Sequence, residues 1–429
     1  MMSKRRLAMR TCELLGLMLL ALIPTHALRQ GGGRATAAPS AFVPSNVASL
    51  VKQMMGARGA QCSPNAGSSF PILSCQHSAS CRLRHDITMN AAMNNVRDST
   101  SKNQMGDTRK KKILVTGGAG YIGTHICTDL LQEGYDVVVV DNFYNSNPES
   151  VERVRQITGR DVSLHEADTR DCNSLRRVFE REGPISGVIH LAGLKAVGES
   201  VAKPHLYYDN NVVGTLNLAK VMSEHGCKRA VFSSSATVYG DAKESPIKED
   251  HPLSATSPYG RTKIICEDIF RDMCKSDPDW RAIMLRYFNP VGAHPSGLIG
   301  EDPKGRPNNL MPIITKVATG AQPELVVFGN DFPTPDGTGV RDYLHVSDLS
   351  SGHIKALERL HGTRMHSQAE EFNLGTGNGI SVLQMVRAFE GATRVRVPFR
   401  VEGRRAGDVA SCFADAQKAE RELGWRAER

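Results

Sequence analysis

Among ten cysteines there is no Cys-x-x-Cys pair, and none stands beside histidines at metal-ligand spacing. That absence removes zinc-ribbon and thioredoxin-like readings and leaves no metal site to expect. The chain also lacks any Asn-x-Ser/Thr sequon, so nothing in it asks for glycosylation in a secretory lumen. The six cysteines after residue 110, Cys127, Cys172, Cys227, Cys266, Cys274 and Cys412, read as small apolar core residues in a reducing compartment. Long apolar runs are scarce too. The run Leu14–Ile23 is too short to span a bilayer comfortably, and no stable membrane span is expected in the mature protein. Finally, a basic surplus is missing from most of the chain. The formal net charge is +8, but residues 1–110 hold 14 Lys/Arg against 4 Asp/Glu, so the rest nets −2. No nucleic-acid module is indicated.

What is present begins with a leader. Lys4, Arg5, Arg6 and Arg10 precede the apolar run, and Thr25-His26-Ala27 follows it as a small-residue cleavage candidate. Beyond lies a basic stretch rich in Ala, Ser, Gly, Asn and Met, which does not bury enough apolar surface to fold alone. Residues 1–110 are therefore expected to be a disordered leader. A signal-like segment followed by a transit-like one resembles the two-part presequences of complex plastids, and Ala41-Phe42-Val43-Pro44 resembles their Phe-bearing junction. A second reading is a misassigned start, because Met105 stands just before the first expected strand. The first reading implies a plastid, the second the cytoplasm, and both stay open.

The organising stretch is Ile113–Gly123, ILVTGGAGYIG. Three apolar β-formers run into a glycine-rich turn, and a helix is expected over Tyr121–Glu133. Gly118-x-Gly120-x-x-Gly123, with Gly117 adding a wider Gly-x-x-Gly-x-x-Gly frame, fits the dinucleotide fingerprint: a tight turn, close backbone approach to a diphosphate, and close helix–strand packing. The helix N-terminus then offers free N–H groups and a positive dipole end. A second strand, Val137–Val140, ends in Asp141, 18 residues beyond Gly123, near the spacing at which an acid meets the adenosine ribose hydroxyls. Asp141 repels a 2′-phosphate and no arginine follows it directly, which favours NAD over NADP. Alternating helices and strands continue to Gly187–Leu191 and imply a parallel sheet with ligands at its C-terminal strand ends. Asp168 then suits an adenine contact and Ala192–Lys195 the nicotinamide half. The segment His205–His225 is either a sheet-covering helix or part of a helix–helix dimer interface.

Chemistry starts at Val231–Gly240, VFSSSATVYG, a strand that delivers Ser233, Ser234, Ser235 and Thr237 to its end. Further on, Tyr259 and Lys263 stand at i and i+4 on one helix face. A phenol with a pKa near 10 is a poor base at neutral pH, and a nearby cation, here also the positive ring of NAD, favours phenolate. Such a tyrosine beside a hydroxyl relay can take the proton of a substrate alcohol as the carbon is oxidised. Tyr-x-x-x-Lys is common by chance. Downstream of a dinucleotide turn and a serine-bearing strand, it reads as catalytic.

With these residues in place, the chain resembles the extended short-chain dehydrogenase/reductases, and among them the UDP-glucose 4-epimerase family. The similarity runs from about Lys112 to Trp425. It includes HLAGLKAVGES (His190–Ser200), SSSATVYG (Ser233–Gly240), LRYFNPVGAHPSG (Leu285–Gly297), IGEDPKGRPNNLMP (Ile299–Pro312), DGTGVRDYLHV (Asp336–Val346) and FNLGTG (Phe372–Gly377). The resemblance implies a Rossmann-type doubly wound parallel sheet over 111–290, carrying Tyr259 and Lys263, and a smaller C-terminal α/β lobe, 291–429, that mainly binds the UDP-sugar. It implies tightly bound NAD touching Gly117, Gly118, Gly120, Tyr121, Ile122, Gly123, Asp141, Asn142, Phe143, Tyr144, Asn145, Asp168, Thr169, Leu191, Lys195, Lys263 and Tyr287. Ser235, Ala236, Thr237 and Tyr259 would face the sugar of a UDP-hexose, with Tyr287 and Phe288 nearby. Asn289, Asn308, Asn309, Leu310, Val326, Val327 and Phe328 would hold the uridine end, Arg341, Arg405 and Asp408 the diphosphate and ribose, and Cys412 the wall past which the sugar turns. A homodimer is expected. Two features depart from the family: valine stands at the uridine-contact strand where relatives can carry a polar residue, and the chain stops just after Leu423-Gly424-Trp425, where a terminal helix usually follows. The second predicts a less stable small lobe. Rival readings are another sugar-nucleotide enzyme of the same fold (a 4,6-dehydratase, decarboxylase or pentose 4-epimerase) and a non-enzymatic NAD-sensing regulator. The dehydratases typically carry an Asp-Glu pair after the relay threonine, absent here, and the regulators generally lack the tyrosine or lysine.

Because every motif lies beyond the leader, protein lacking residues 1–104 is expected to be soluble and active. Loss of folding on that truncation, with the full chain well behaved, would make the leader structural.

Overall fold

A computed structural model describes residues 111–429 apart from Lys243, Arg306, Arg364 and Ala406. The expectations for the leader lie outside the described residues. The chain runs through β1 (Lys112–Thr116), α1 (Tyr121–Gln132), β2 (Asp136–Asp141), α2 (Glu149–Thr158), β3 (Ser163–Glu166), α3 (Cys172–Glu182) and β4 (Gly187–His190). Two short helices, α4 (Val197–Ala202) and α5 (Pro204–Tyr207), lead through a widened turn of π-helix, Tyr208–Val213, into α6 (Gly214–Glu224). β5 (Arg229–Ser235) passes into one 3-10 turn, Ala236–Tyr239, followed by α7 (Pro258–Ser276) and β6 (Arg281–Tyr287). The second half supplies β7 (Asn289–Val291), α8 (Leu310–Ala318), β8 (Leu325–Phe328), β9 (Val340–His345), α9 (Val346–His361) and β10 (Ala369–Leu374). After these come β11 (Gly379–Ser381), α10 (Val382–Thr393), β12 (Phe399–Glu402), β13 (Ser411–Cys412) and α11 (Gln417–Leu423).

Seven strands form one parallel sheet in the order β10-β6-β5-β4-β1-β2-β3. Helices cover both faces of such a sheet, so its strands lose the polar/apolar alternation of a half-exposed one. β2, DVVVVD, shows this: all four valines are buried, split between two cores on opposite faces. The strand order reverses between β1 and β4, and a crevice opens there at the C-terminal strand ends. Asp141, Lys195, Ser235 and Tyr287 stand at or just past those ends. The sheet is the doubly wound Rossmann-type sheet that the sequence implies.

The two halves are not separate along the chain. β10 pairs in parallel with β6 and extends the main sheet, and α9 packs into the same core as α1. Residues 291–429 therefore divide: one part builds the smaller lobe around β8, β9 and α10, and the rest completes the large sheet. Asp342 of β9 locks this junction. Its buried carboxylate accepts from Thr376 N (2.8 Å), Thr376 Oγ1 (2.7 Å), Gly377 N (3.0 Å) and Ala414 N (3.1 Å). This is why the stretches 336–346 and 372–377 belong together.

The tail belongs to the large core and not to the small lobe. Trp425 is buried, and its Nε1 donates to Asp348 O (2.9 Å) and Ser351 Oγ (3.0 Å) on α9. The backbone N–H groups of Glu428 and Arg429 donate to Asp348 Oδ2 at 3.1 and 2.8 Å. The segment His205–His225 is helical throughout except for its π turn, which widens the helix at Asn211. Asn211 uses that widening to bind Leu194 N (2.8 Å), Leu194 O (3.0 Å) and Thr262 Oγ1 (3.1 Å), tying the β4 loop to α7. No described helix is long and apolar enough to cross a membrane.

A buried ion pair joins α7 to the sheet. Glu267, fully enclosed, receives Arg286 Nε (3.0 Å) and Nη2 (2.7 Å), Arg271 Nη2 (2.8 Å) and the Ser234 hydroxyl. Arg286 also donates to Tyr239 Oη (3.1 Å) and Glu249 O (2.9 Å). Removing one partner strands a buried charge. Glu267→Leu should cost about 3–5 kcal/mol in urea unfolding, and adding Arg286→Met should restore much of it. An unaffected single variant would show that the pair is not a structural tie.

Candidate active site

The glycine turn is forced by two close approaches. Gly117, at φ 70°, sits so near the β4 loop that a Cβ would meet Ala192 N at 2.9 Å. A Cβ on Gly123 would lie 2.3 Å from Gly117 O, so only glycine lets α1 start against the turn. Gly120 caps α1, whose first turn carries no acid, and Tyr121 reaches Gly292 O through its hydroxyl (2.7 Å). Backbone donors at a positive dipole end, with no acid in the first helical turn, suit a diphosphate. Ile122 turns back into the core and Gly118 packs under Val139.

Asp141 closes the turn from below: its carboxylate accepts from Ala119 N (3.1 Å), Phe143 N (2.9 Å) and Ser146 Oγ (2.7 Å). Phe143 is held at φ 54°, a conformation that costs a bulky residue energy and persists only where neighbours enforce it. Asn142 and Asp168 meet directly at 2.9 Å. The Arg170 guanidinium forks onto Asp168 (3.0 and 2.9 Å), and its charge-assisted bonds hold that carboxyl at about 2. Tyr144 is exposed, Asn145 accepts from Lys304 N (3.0 Å), and Thr169 is buried beneath Gly214. Leu191 continues the β4–β1 pairing (3.1 Å to Thr116 O), and Lys195 pairs with Glu301 at 3.3 Å.

On the other side of the switch point, Ser257 caps α7 by accepting from Gly260 N (3.2 Å), and Pro258 opens the helix. That places Tyr259 in the first turn and Lys263 one turn on, both buried. The Ser235 hydroxyl interacts with the Tyr259 phenol and accepts from Thr237 N (3.2 Å) and Thr237 Oγ1 (3.0 Å), so these three residues form one relay. Lys263 Nζ donates to Ser233 O at 2.6 Å and lies 4.8 Å from the Phe232 ring centre and 5.9 Å from that of Tyr259. The Tyr287 hydroxyl is committed to Ser233, which leaves its ring to line the site.

Tyr259 is not acidified by its lysine in the protein alone. Burial pushes it up to about 12, offset only in part by Ser235. Lys263, also buried, is pushed down to about 8. Desolvation outweighs the attraction of two groups that are not in contact.

The substrate-side residues converge on a second cluster. Arg405 forks onto Asp408 (3.0 and 3.2 Å) and lies 4.8 Å from the Phe328 ring centre, while Arg341 Nη2 stands 3.9 Å from the same Asp408. In β8 the side chains alternate: Val326 and Phe328 share the open face, but Val327 is buried in the small core. Val327 can therefore meet a ligand only through its backbone, a correction that follows from the two-residue period of a strand. Cys412 packs against the apolar cluster of Ala236, Val238, Tyr239, Ile247, Phe288 and Ala414. Asn289 opens β7, Asn308 is exposed, Asn309 caps α8, and Leu310 packs on the small core. Asn309 Nδ2 donates to Glu301 Oε1 at 2.7 Å.

The residues 114–429 match the family profile described as GDP-mannose 4,6 dehydratase. UDP-glucose 4-epimerase of Bacillus subtilis (strain 168) is 57% identical over 317 residues, covering 74% of this chain and 92% of that protein. The chain belongs to the UDP-glucose 4-epimerase family. Among solved structures, the UDP-glucose 4-epimerase of Bifidobacterium longum in complex with NAD+ and UDP is 54% identical, with a TM-score of 0.71 over 74% of this chain and 94% of that one. That of Stenotrophomonas maltophila, with bound NAD and formylated UDP-arabinopyranose, is 50% identical with a TM-score of 0.72, again over 74% and 94%.

Several residues of this epimerase-family site escape a reading of the sequence. Asn211 and Glu301 act through partners far away in the chain, Glu267 through Arg286 as well as the nearby Arg271, and Arg170 through its neighbour Asp168 and the distant Asp209. Glu301 alone carried a hint, as an acid inside the matching stretch 299–312.

The buried lysine makes a linkage prediction. Its folded-state pKa lies below the ordinary 10.5, so it opposes folding in full below about pH 8 and ceases to as the pH climbs towards 10.5. Tyr259, raised above 10.0, instead costs stability as pH rises from 10 to 12. NAD-free Lys263→Met should thus gain about 1–3 kcal/mol over wild type in urea unfolding at pH 7, a gain that shrinks towards pH 10. A difference independent of pH would contradict the depressed lysine.

Proposed function

We propose that this chain interconverts UDP-glucose and UDP-galactose through a 4-keto intermediate, with NAD kept bound. The observation that carries the reading is the relay, a buried phenol with two hydroxyls, and beside it a buried ammonium held by a backbone carbonyl, at the switch point of a dinucleotide sheet. Bound NAD supplies a reversible two-electron acceptor for the hydrogen at C4. The glycine turn from Gly117 to Gly123 and the N-terminus of α1 would hold its diphosphate, Asp141 its adenosine ribose and Lys263 its nicotinamide ribose. The Lys263 ammonium, beside the relay, would favour the phenolate of Tyr259. Tyr259 then takes the 4′-hydroxyl proton through Ser235 or Thr237 and returns it after the sugar has turned. Arg341 and Arg405 grip the diphosphate with planar forks, and Phe328 and Asn309 lie at the uridine end.

A 4,6-dehydratase reading finds no support in the site: the relay turn reads Ser235-Ala236-Thr237-Val238, without a carboxylate, and Val238 is buried. A sensor reading does not account for a complete relay. A homodimer accords with the apolar residues left exposed along the α4–α6 segment, Val201 (60%), Val213 (41%) and Leu216 (52%).

Purified protein mixed with UDP-galactose and a UDP-glucose dehydrogenase should yield steady NADH; no UDP-glucose would overturn the assignment. Tyr259→Phe should fold and retain NAD yet lose about 10²–10⁴-fold in kcat. Cys412 sets the sugar size. Its small thiol, kept protonated by burial, leaves room beside Ala236 that a tyrosine would fill. Wild type should also interconvert the UDP-N-acetylhexosamines, and Cys412→Tyr should keep only the UDP-glucose/UDP-galactose activity. A wild type active on UDP-galactose but inert towards the acetamido substrate would refute the size argument alone.

A further inference from the structure

One segment of the second half crosses the dinucleotide cleft without belonging to either binding cluster. After Gly292, whose carbonyl receives the Tyr121 hydroxyl at 2.7 Å, the chain meets Arg153 of α2, which donates to Leu298 O at 3.0 Å. Glu301 then accepts from Lys195 at 3.3 Å. Three residues later Lys304 turns onto the loop after β2: its backbone N–H donates to Asn145 Oδ1 (3.0 Å) and its ammonium to Phe143 O (2.6 Å). Lys195 follows β4 and Phe143 follows β2, and β1 lies between those strands in the sheet. Strands are spaced by about 4.8 Å, so the segment spans about 10 Å across the end of β1, where the glycine turn sits. A dinucleotide laid against that turn would lie beneath it.

We propose that Gly292–Gly305 is a strap over the bound cofactor, and that Lys304 and Glu301 are its two clasps, setting how slowly NAD escapes. The inference rests on the reading that NAD occupies the cleft. Both clasps act on residues expected to touch the cofactor, Lys195 at one end and the Phe143–Asn145 loop at the other. Glu301 has a second role, because the oxygen that binds Lys195 also accepts from Asn309 at 2.7 Å. The clasp on the cofactor side is therefore tied to a residue of the uridine side. Phe143 contributes its backbone: the left-handed conformation at φ 54° accompanies a carbonyl that receives the Lys304 ammonium. The Lys304 clasp is exposed, the Glu301 clasp pairs an exposed lysine with a largely buried carboxylate, and each is made of one or two polar contacts, so each should be modest alone.

The test measures release of NAD, not turnover. Protein isolated with its NAD is diluted into alcohol dehydrogenase and excess ethanol, which trap released NAD as NADH. Lys304→Ala and Glu301→Gln should each release NAD about two- to fivefold faster than wild type. Lys304→Arg, which can still reach the Phe143 carbonyl, should release it near the wild-type rate. Unchanged thermal unfolding of the NAD-free variants separates a lost clasp from a lost fold. Wild type that holds NAD, with all variants releasing it at the same rate, would overturn the strap alone. Wild type that binds no NAD would overturn the functional reading and the strap with it.

Discussion

An ammonium held out of water with no carboxylate beside it is costly, and Lys263 is such a group among the described residues. It has one carbonyl, that of Ser233, and an aromatic neighbour, Phe232. Burial depresses its proton affinity and raises that of the adjacent phenol, so both groups await a change in the charge of the site. That arrangement holds only if α7 cannot shift against β5. The Glu267–Arg286 pair one turn beyond Lys263, the Asn211 bridge to Thr262 and the Ser257 cap fix the helix at three places. Pre-organisation of this kind is what lets a weak base work when its partner cation arrives.

The sheet supplies the rest of the geometry. Parallel strands direct their C-terminal ends to one edge, and the reversal between β1 and β4 opens the crevice there. The second half of the chain does not simply sit beside that crevice. It returns β10 to the large sheet, anchors β9 through Asp342, and ties the Gly292–Gly305 segment to the loops after β2 and β4. Lys195 and Asn309, expected at the cofactor and at the uridine end, meet on one Glu301 oxygen.

Legibility in the sequence followed the range of the interactions. The glycine turn, Asp141 and the Tyr259/Lys263 pair depend on neighbours within a few turns, and their spacing could be read directly. β2 was legible for the same reason, since four successive valines fit a strand buried on both faces. The division at residue 290 was not, because β10 lies far along the chain from the strand it pairs with. Val327 could not be separated from Val326 by composition, but the alternation of a strand separates them once β8 is placed. The upward shift of Tyr259 in the protein alone was not legible, because sequence shows that a lysine is near and not how much water both groups have lost.

The central claim is that one hydrogen leaves C4 and comes back to the same carbon within one site. The most direct measurement supplies UDP-galactose deuterated at C4 to the purified protein without added NAD and follows the label by NMR. The account predicts UDP-glucose with deuterium retained at C4. Product in which the label has been lost to water, or moved to C6, would contradict it.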